Sequence, residues 1–142
     1  MVFRRTMVVV CGVIAGALLA SAPTTADEVN RAGWHSDISA AWKHAKQLER
    51  PILIYVASNA CAYCRKMEKG TLDDPAVQNQ VQSRFVGVSI NGTNQPKVAK
   101  SLRIRAYPTT LVYGHDGKLI TSKRGYVGPR EFQQLLQSVQ AD

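Results

Sequence analysis

Hydrophobic residues fall along this chain in two patterns. At Ile52-Leu53-Ile54-Tyr55-Val56-Ala57 and at Phe85-Val86-Gly87-Val88-Ser89-Ile90 they form nearly unbroken runs. Such runs, without polar alternation, predict strands covered on both faces. Elsewhere they recur three and four positions apart. Ile38, Ala41, Trp42, Ala45 and Leu48 share one face of a helix that Asp37 can cap. Phe132, Leu135, Leu136 and Val139 line the inner face of a last helix opened by Gly128-Pro129. Asp74-Pro75 predicts another helix start, a capping residue followed by proline in the first turn, with Val77 and Val81 turned inward. One more helix is expected from near Cys61 to about Lys69, and a short one over Lys97 to Leu102. Thr109–Tyr113 and Lys118–Lys123 read as strands joined by the turn His115-Asp116-Gly117. The order is α, β, α, α, β, α, β, β, α. A strand–helix–strand crossover makes the first two strands parallel, and the hairpin adds two antiparallel ones. The expectation is an α/β fold: a mixed four-stranded sheet with helices on both faces.

The first 26 residues follow different rules. Arg4 and Arg5 precede an apolar stretch from Met7 to about Ala20, and small residues lead to Thr24-Thr25-Ala26. This is the layout of a secretory signal peptide, cut after Ala26. The alternative is an uncleaved membrane anchor, but the apolar core is shorter than the ~20 residues that span a bilayer. Cys11 reads as a hydrophobic residue of that leader. The expected organisation is a leader at 1–26 and one domain at 27–142, which predicts a periplasmic or secreted protein. Of the 142 residues 18 are Lys or Arg and 10 are Asp or Glu. The leader holds two of the basic residues and none of the acidic ones, so the domain keeps a net charge of +6. Its charges are scattered singly and in pairs. That argues for a soluble basic surface and against a nucleic-acid partner.

The domain has two cysteines, Cys61 and Cys64, in the sequence Cys-Ala-Tyr-Cys. A bond between them closes almost no loop and constrains the unfolded chain little, so the pair suits chemistry better than reinforcement. It follows a buried strand and opens a helix. A thiol there faces unpaired backbone N–H groups and the positive end of the helix dipole, which favour the thiolate. Cys61 is expected to attack a substrate disulfide, and Cys64, one turn on, to resolve the mixed disulfide. Other readings are weaker. Zinc asks for four ligands, and His35, His44 and His115 are scattered. Haem attachment would need histidine where Arg65 stands. An inert disulfide and a Cu(I) carrier, with Met67 as a further sulfur, stay open. So does a catalytically idle binding module.

Tyr107-Pro108-Thr109 lies just before the third strand. With the C-x-x-C pair and the order of elements, it resembles the thioredoxin superfamily and implies the thioredoxin fold. The resemblance implies a cis bond at Pro108 and substrate pairing on the backbone of Tyr107, with Ala62 and Tyr63 on the substrate-facing surface. The segments Cys61–Glu68 and Thr71–Val77 are similar to one branch, which includes the C-terminal domain of the membrane thiol:disulfide interchange protein and related small exported proteins. The implied activity is thiol:disulfide exchange without an organic cofactor, the electrons residing in a redox-active Cys61–Cys64 disulfide. The expected partners are client proteins with thiols or disulfides and an upstream thiol electron donor, a membrane-bound one included. The protein itself is expected to be a monomer. A reductase is preferred, with an oxidase or isomerase as the alternative. Two departures stand out. Ala60 replaces the usual tryptophan, and Tyr55 occupies the place of a buried aspartate, which removes the usual proton route from the second thiol. Glu68, one helical turn after Cys64, is the candidate replacement. Its other reading is a solvated partner of Arg65 or Lys69. Trp34 and Trp42 read as packing residues.

Overall fold

In a computed structural model, residues 33–139 are described; the expected leader at 1–26 lies outside them. The elements are α1 (Ile38–Leu48), β1 (Ile52–Ala57), α2 (Ala62–Met67), a π-helical continuation of α2 (Glu68–Leu72), α3 (Pro75–Arg84), β2 (Val86–Asn91), α4 (Pro96–Ser101), β3 (Thr109–Tyr113), β4 (Leu119–Arg124) and α5 (Pro129–Ser138). The strands form one sheet in the order β2-β1-β3-β4. β1 and β2 are parallel, and the other two pairings are antiparallel. This is the mixed sheet expected from the sequence.

Local signals explain most boundaries. Asp37 accepts a hydrogen bond from the Ala40 N–H, 2.6 Å away, and Asp74 accepts from Ala76 and Val77 at the start of α3. Glu49 ends α1 in the left-handed conformation and returns its N–H to the last turn. All six residues of β1 are buried, as its unbroken apolar run requires. Alternate side chains feed two cores. Leu53, Tyr55 and Ala57 pack under α2, α3 and α5, while Ile52, Ile54 and Val56 pack under α1 and α4.

Three expectations are corrected. The helix from Cys61 does not stop near Lys69. It widens into π geometry and runs to Leu72, where the buried Thr71 hydroxyl donates to the Val127 carbonyl over 2.7 Å. Leu48, assigned to the inner face of α1, is 44% exposed because the helix ends beside it. His35 and His44 are not scattered. Their Nε2 and Nδ1 atoms lie 2.9 Å apart, one ring donating to the other. The segment around His35 forms a parallel bridge on the outer side of β2, taking the Gly87 carbonyl and giving its own to Ser89. Trp34 is buried beside it, so close that a Cβ on Gly87 would meet its ring at 2.7 Å. At the other edge β4 is mostly exposed, and its register against β3 slips at Val112/Tyr113.

Candidate active site

The chain leaves β1 at Ala57, turns through Ser58-Asn59-Ala60, and enters α2 at Cys61. Cys61 is extended (φ −122°, ψ 98°) and serves as the N-cap, its Sγ accepting the Cys64 N–H at 3.1 Å. A serine or aspartate oxygen ordinarily takes this position; here the Cys61 sulfur does. Cys61 and Cys64 are joined by a disulfide, with their Cα atoms 5.2 Å apart. Cys61 is 8% exposed and Cys64 1%.

Val56 pairs with Thr109 in the sheet, so the strand that leads to Cys61 runs beside the residue that follows Pro108. The Tyr107–Pro108 bond is cis. Gly125 donates to the Pro108 carbonyl over 2.7 Å and tethers this loop to the end of β4. Among the described residues, the backbone N–H and C=O of Tyr107 take no hydrogen bond. The Tyr107 ring folds against Gly92, where a Cβ would stand 2.7–2.8 Å from ring atoms Cε1 and Cζ. A side chain at 92 would therefore displace the ring. Ala62 is exposed, and Tyr63 keeps 64% of its surface open beside the disulfide.

Glu68 follows the last residue of α2, half-buried, with its backbone N–H bonded to the Cys64 and Arg65 carbonyls. Among the described residues it makes no ion pair with Arg65 or Lys69. Met67, the extra sulfur of the copper reading, is wholly buried. No group of three or more His, Cys, Asp or Glu side chains converges on a metal position among the described residues.

Two contributors were not visible in the sequence. The Tyr55 hydroxyl, fully buried, donates to the Cys64 carbonyl over 3.2 Å. The sequence marked this position only as the place of a missing acid. The second is a polar brace. Asn91 donates through Nδ2 to Asn59 Oδ1 at 2.6 Å, the Asn59 N–H reaches Thr93 Oγ1, and Arg65 donates to the Asn59 carbonyl. It fixes the loop before Cys61 to the β2–α4 loop. The asparagines stand at matching places, Asn59 just past β1 and Asn91 at the end of β2.

Comparison with known proteins agrees with this geometry. A family model described as a thioredoxin-like domain matches residues 38–140. The chain belongs to the thioredoxin-like domain family. The Cys61–Cys64 disulfide lies inside the matched region. It is 31% identical over 108 residues to the thiol:disulfide interchange protein DsbD of Pectobacterium atrosepticum, an alignment covering 72% of this chain and 18% of that protein. The chain thus spans under a fifth of the length of this curated relative. Among solved structures, the oxidised C-terminal domain of Neisseria meningitidis DsbD superposes with a TM-score of 0.64 at 20% identity, over 75% of this chain and 99% of that one. A thioredoxin from Thermus thermophilus gives 0.66 at 24% identity, over 73% and 83%. At these identities the superpositions show the fold. No helix among the described residues is long and apolar enough to cross a membrane.

Proposed function

We propose that the protein exchanges disulfides with client proteins in an exported compartment, Cys61 attacking and Cys64 resolving. The observation that carries this reading is the Cys64 N–H aimed at Cys61 Sγ from 3.1 Å. In the reduced protein that donor, at the head of a helical run, stabilises a thiolate on Cys61. The greater exposure of Cys61 brings a client to it first. The Cys61 thiolate attacks one sulfur of a client disulfide; a mixed disulfide forms and a client thiolate leaves. Cys64 loses its proton and attacks Cys61 Sγ, which closes the Cys61–Cys64 bond and expels the second client thiolate. Two electrons pass to the client, and its two thiolates take up two protons. Glu68 receives the Cys64 proton, since the usual buried acid is replaced by Tyr55 and the carboxylate lies one turn away on the same helical run. The open backbone of Tyr107 pairs with an extended client segment, and Ala62 and Tyr63 form the surface beside it. No organic cofactor takes part.

The reductive direction is favoured by similarity to the interchange protein. An upstream thiol donor then restores the dithiol. The leader-like first 26 residues and the same relative support a periplasmic or secreted setting.

Trapping tests the reading. Cys64→Ala should leave Cys61 bound to its client as a mixed disulfide, visible on non-reducing gels and lost in the Cys61→Ala/Cys64→Ala double variant. Absence of any adduct through Cys61 would sink the assignment. Glu68→Gln should shift the pH profile of insulin-disulfide reduction; an identical profile removes Glu68 from the proton route.

A further inference from the structure

The acidic residues of the described chain are largely committed to local work. Asp37 and Asp74 cap helices, Asp116 bonds Lys118 within the hairpin turn, and Glu131 pairs with Lys123 at 3.6 Å. The cations around the disulfide are not so matched. Arg65 and Lys66 follow Cys64 directly, Arg105 lies two residues before Tyr107, and Arg124 stands opposite Thr109 in the sheet, next to Pro108. All four are exposed, and among the described residues none makes an ion pair. Lys66 lies over the Tyr126 ring at 4.7 Å, and Tyr126 follows the Gly125 that holds the Pro108 carbonyl. The helix start and the cis-proline loop thus share one basic rim, with Tyr63 and Tyr107 exposed within it. Glu68, half-buried, is the one acid in the stretch from Cys61 to Gly70, and residues 102–108 contain none.

We infer that this rim docks an acidic partner segment, one in which carboxylates flank the target disulfide. The inference rests on the exchange reading and adds the partner's chemistry to it. Complementary charge around a reacting sulfur raises the encounter rate and selects the register in which the two sulfurs meet. A basic partner face would be repelled at every one of the four positions.

The test uses two synthetic peptides, each with one disulfide, identical except for glutamate or lysine on either side of the cysteines. Oxidation of the reduced protein by each is followed by quenched alkylation. The glutamate peptide should react about tenfold faster at low salt, and the ratio should fall towards one as salt shortens the range of the field. Both peptides meet the same Cys61, so any change in its thiolate population cancels in the ratio. The double variant R105E/R124E should abolish or reverse the preference. K43E/K46E on α1 changes total charge equally and should keep it. A ratio of one at low salt overturns the inference, as does an equal loss in K43E/K46E, which would assign the effect to net charge. Binding to phosphatidylglycerol vesicles that R105E/R124E removes, with no peptide preference, overturns it in favour of a lipid surface. Equal rates with both peptides leave the exchange reading standing. Failure of both to oxidise the protein removes that reading and the docking inference with it.

Discussion

Leu53, Tyr55 and Ala57 turn to one face of the sheet, Ile52, Ile54 and Val56 to the other, and the two faces are packed with different chemistry. The second face is filled by aliphatic strand residues against Ala41 and Ala45 of α1, and its buried Thr109 hydroxyl, cross-strand from Val56, turns to the Ala106 carbonyl of its own loop over 2.7 Å. The first holds the disulfide, the Tyr55 hydroxyl on the Cys64 carbonyl, and the Thr71 hydroxyl on the Val127 carbonyl. Thr110, cross-strand from Tyr55, adds a buried hydroxyl that has no hydrogen-bond partner among the described residues. Apolar packing is non-directional and tolerates modest reshaping, whereas a buried hydroxyl loses free energy unless its partner stays in place. One strand therefore supplies adhesion on both faces, and the face that carries Tyr55 also anchors the helix that holds the disulfide.

Three experiments break or sharpen that division. Ile54→Ala should carry the largest cost, about 2–5 kcal/mol for a buried aliphatic truncation, read from urea unfolding. Its glutathione redox equilibrium should match the wild type. A changed equilibrium would show that the two faces are not separable. Tyr55→Phe keeps the ring and deletes the hydroxyl. It should lower stability by about 1 kcal/mol and slow resolution of the mixed disulfide a few-fold in rapid-quench assays, since Cys64 is held less firmly. Unchanged resolution would reduce Tyr55 to a packing residue.

The smallest effect belongs to the edge of the second face. Burial, and next the neighbouring His44, hold His35 below the usual histidine range, with Asp37 opposing them. The unfolded chain therefore binds this proton at a higher pH than the folded one. Stability at this site is complete above about pH 6.5 and is lost as pH falls through the lower folded value. His35→Gln should flatten that part of the stability profile, measured by thermal melts across the acid range. A profile as steep as the wild type would place the proton uptake elsewhere.

The order of elements along the chain, the helix caps and the cysteine pair were legible because each depends on neighbours in sequence. Asp37 and Asp74 cap the helices their positions predicted, and Met67 and Trp34 went to the core. The interactions that tune the site were not legible, because each joins residues distant in the chain. Tyr55 reaches Cys64 across a strand–helix contact, Asn59 meets Asn91 32 positions on, and Tyr107 rests on Gly92. The π turn after Met67 was equally hidden. Within it the Thr71 hydroxyl meets the Val127 carbonyl, 56 positions away. Glycine at 92 could have been read as a loop residue alone; only the folded chain shows which ring it makes room for.

The outer rim of β4 has a consequence for how copies of this molecule meet. A strand with unpaired backbone groups invites a second sheet to add on. On the opposite side the segment at His35 already occupies part of that position along β2. Along β4 the invitation is countered by Lys118, Lys123 and Arg124, and by the register slip where β3 and β4 join. Two molecules laid rim to rim would set like charges against each other on strands that do not run true. Exposed Leu119 and Ile120 can therefore sit in water without seeding a growing ribbon.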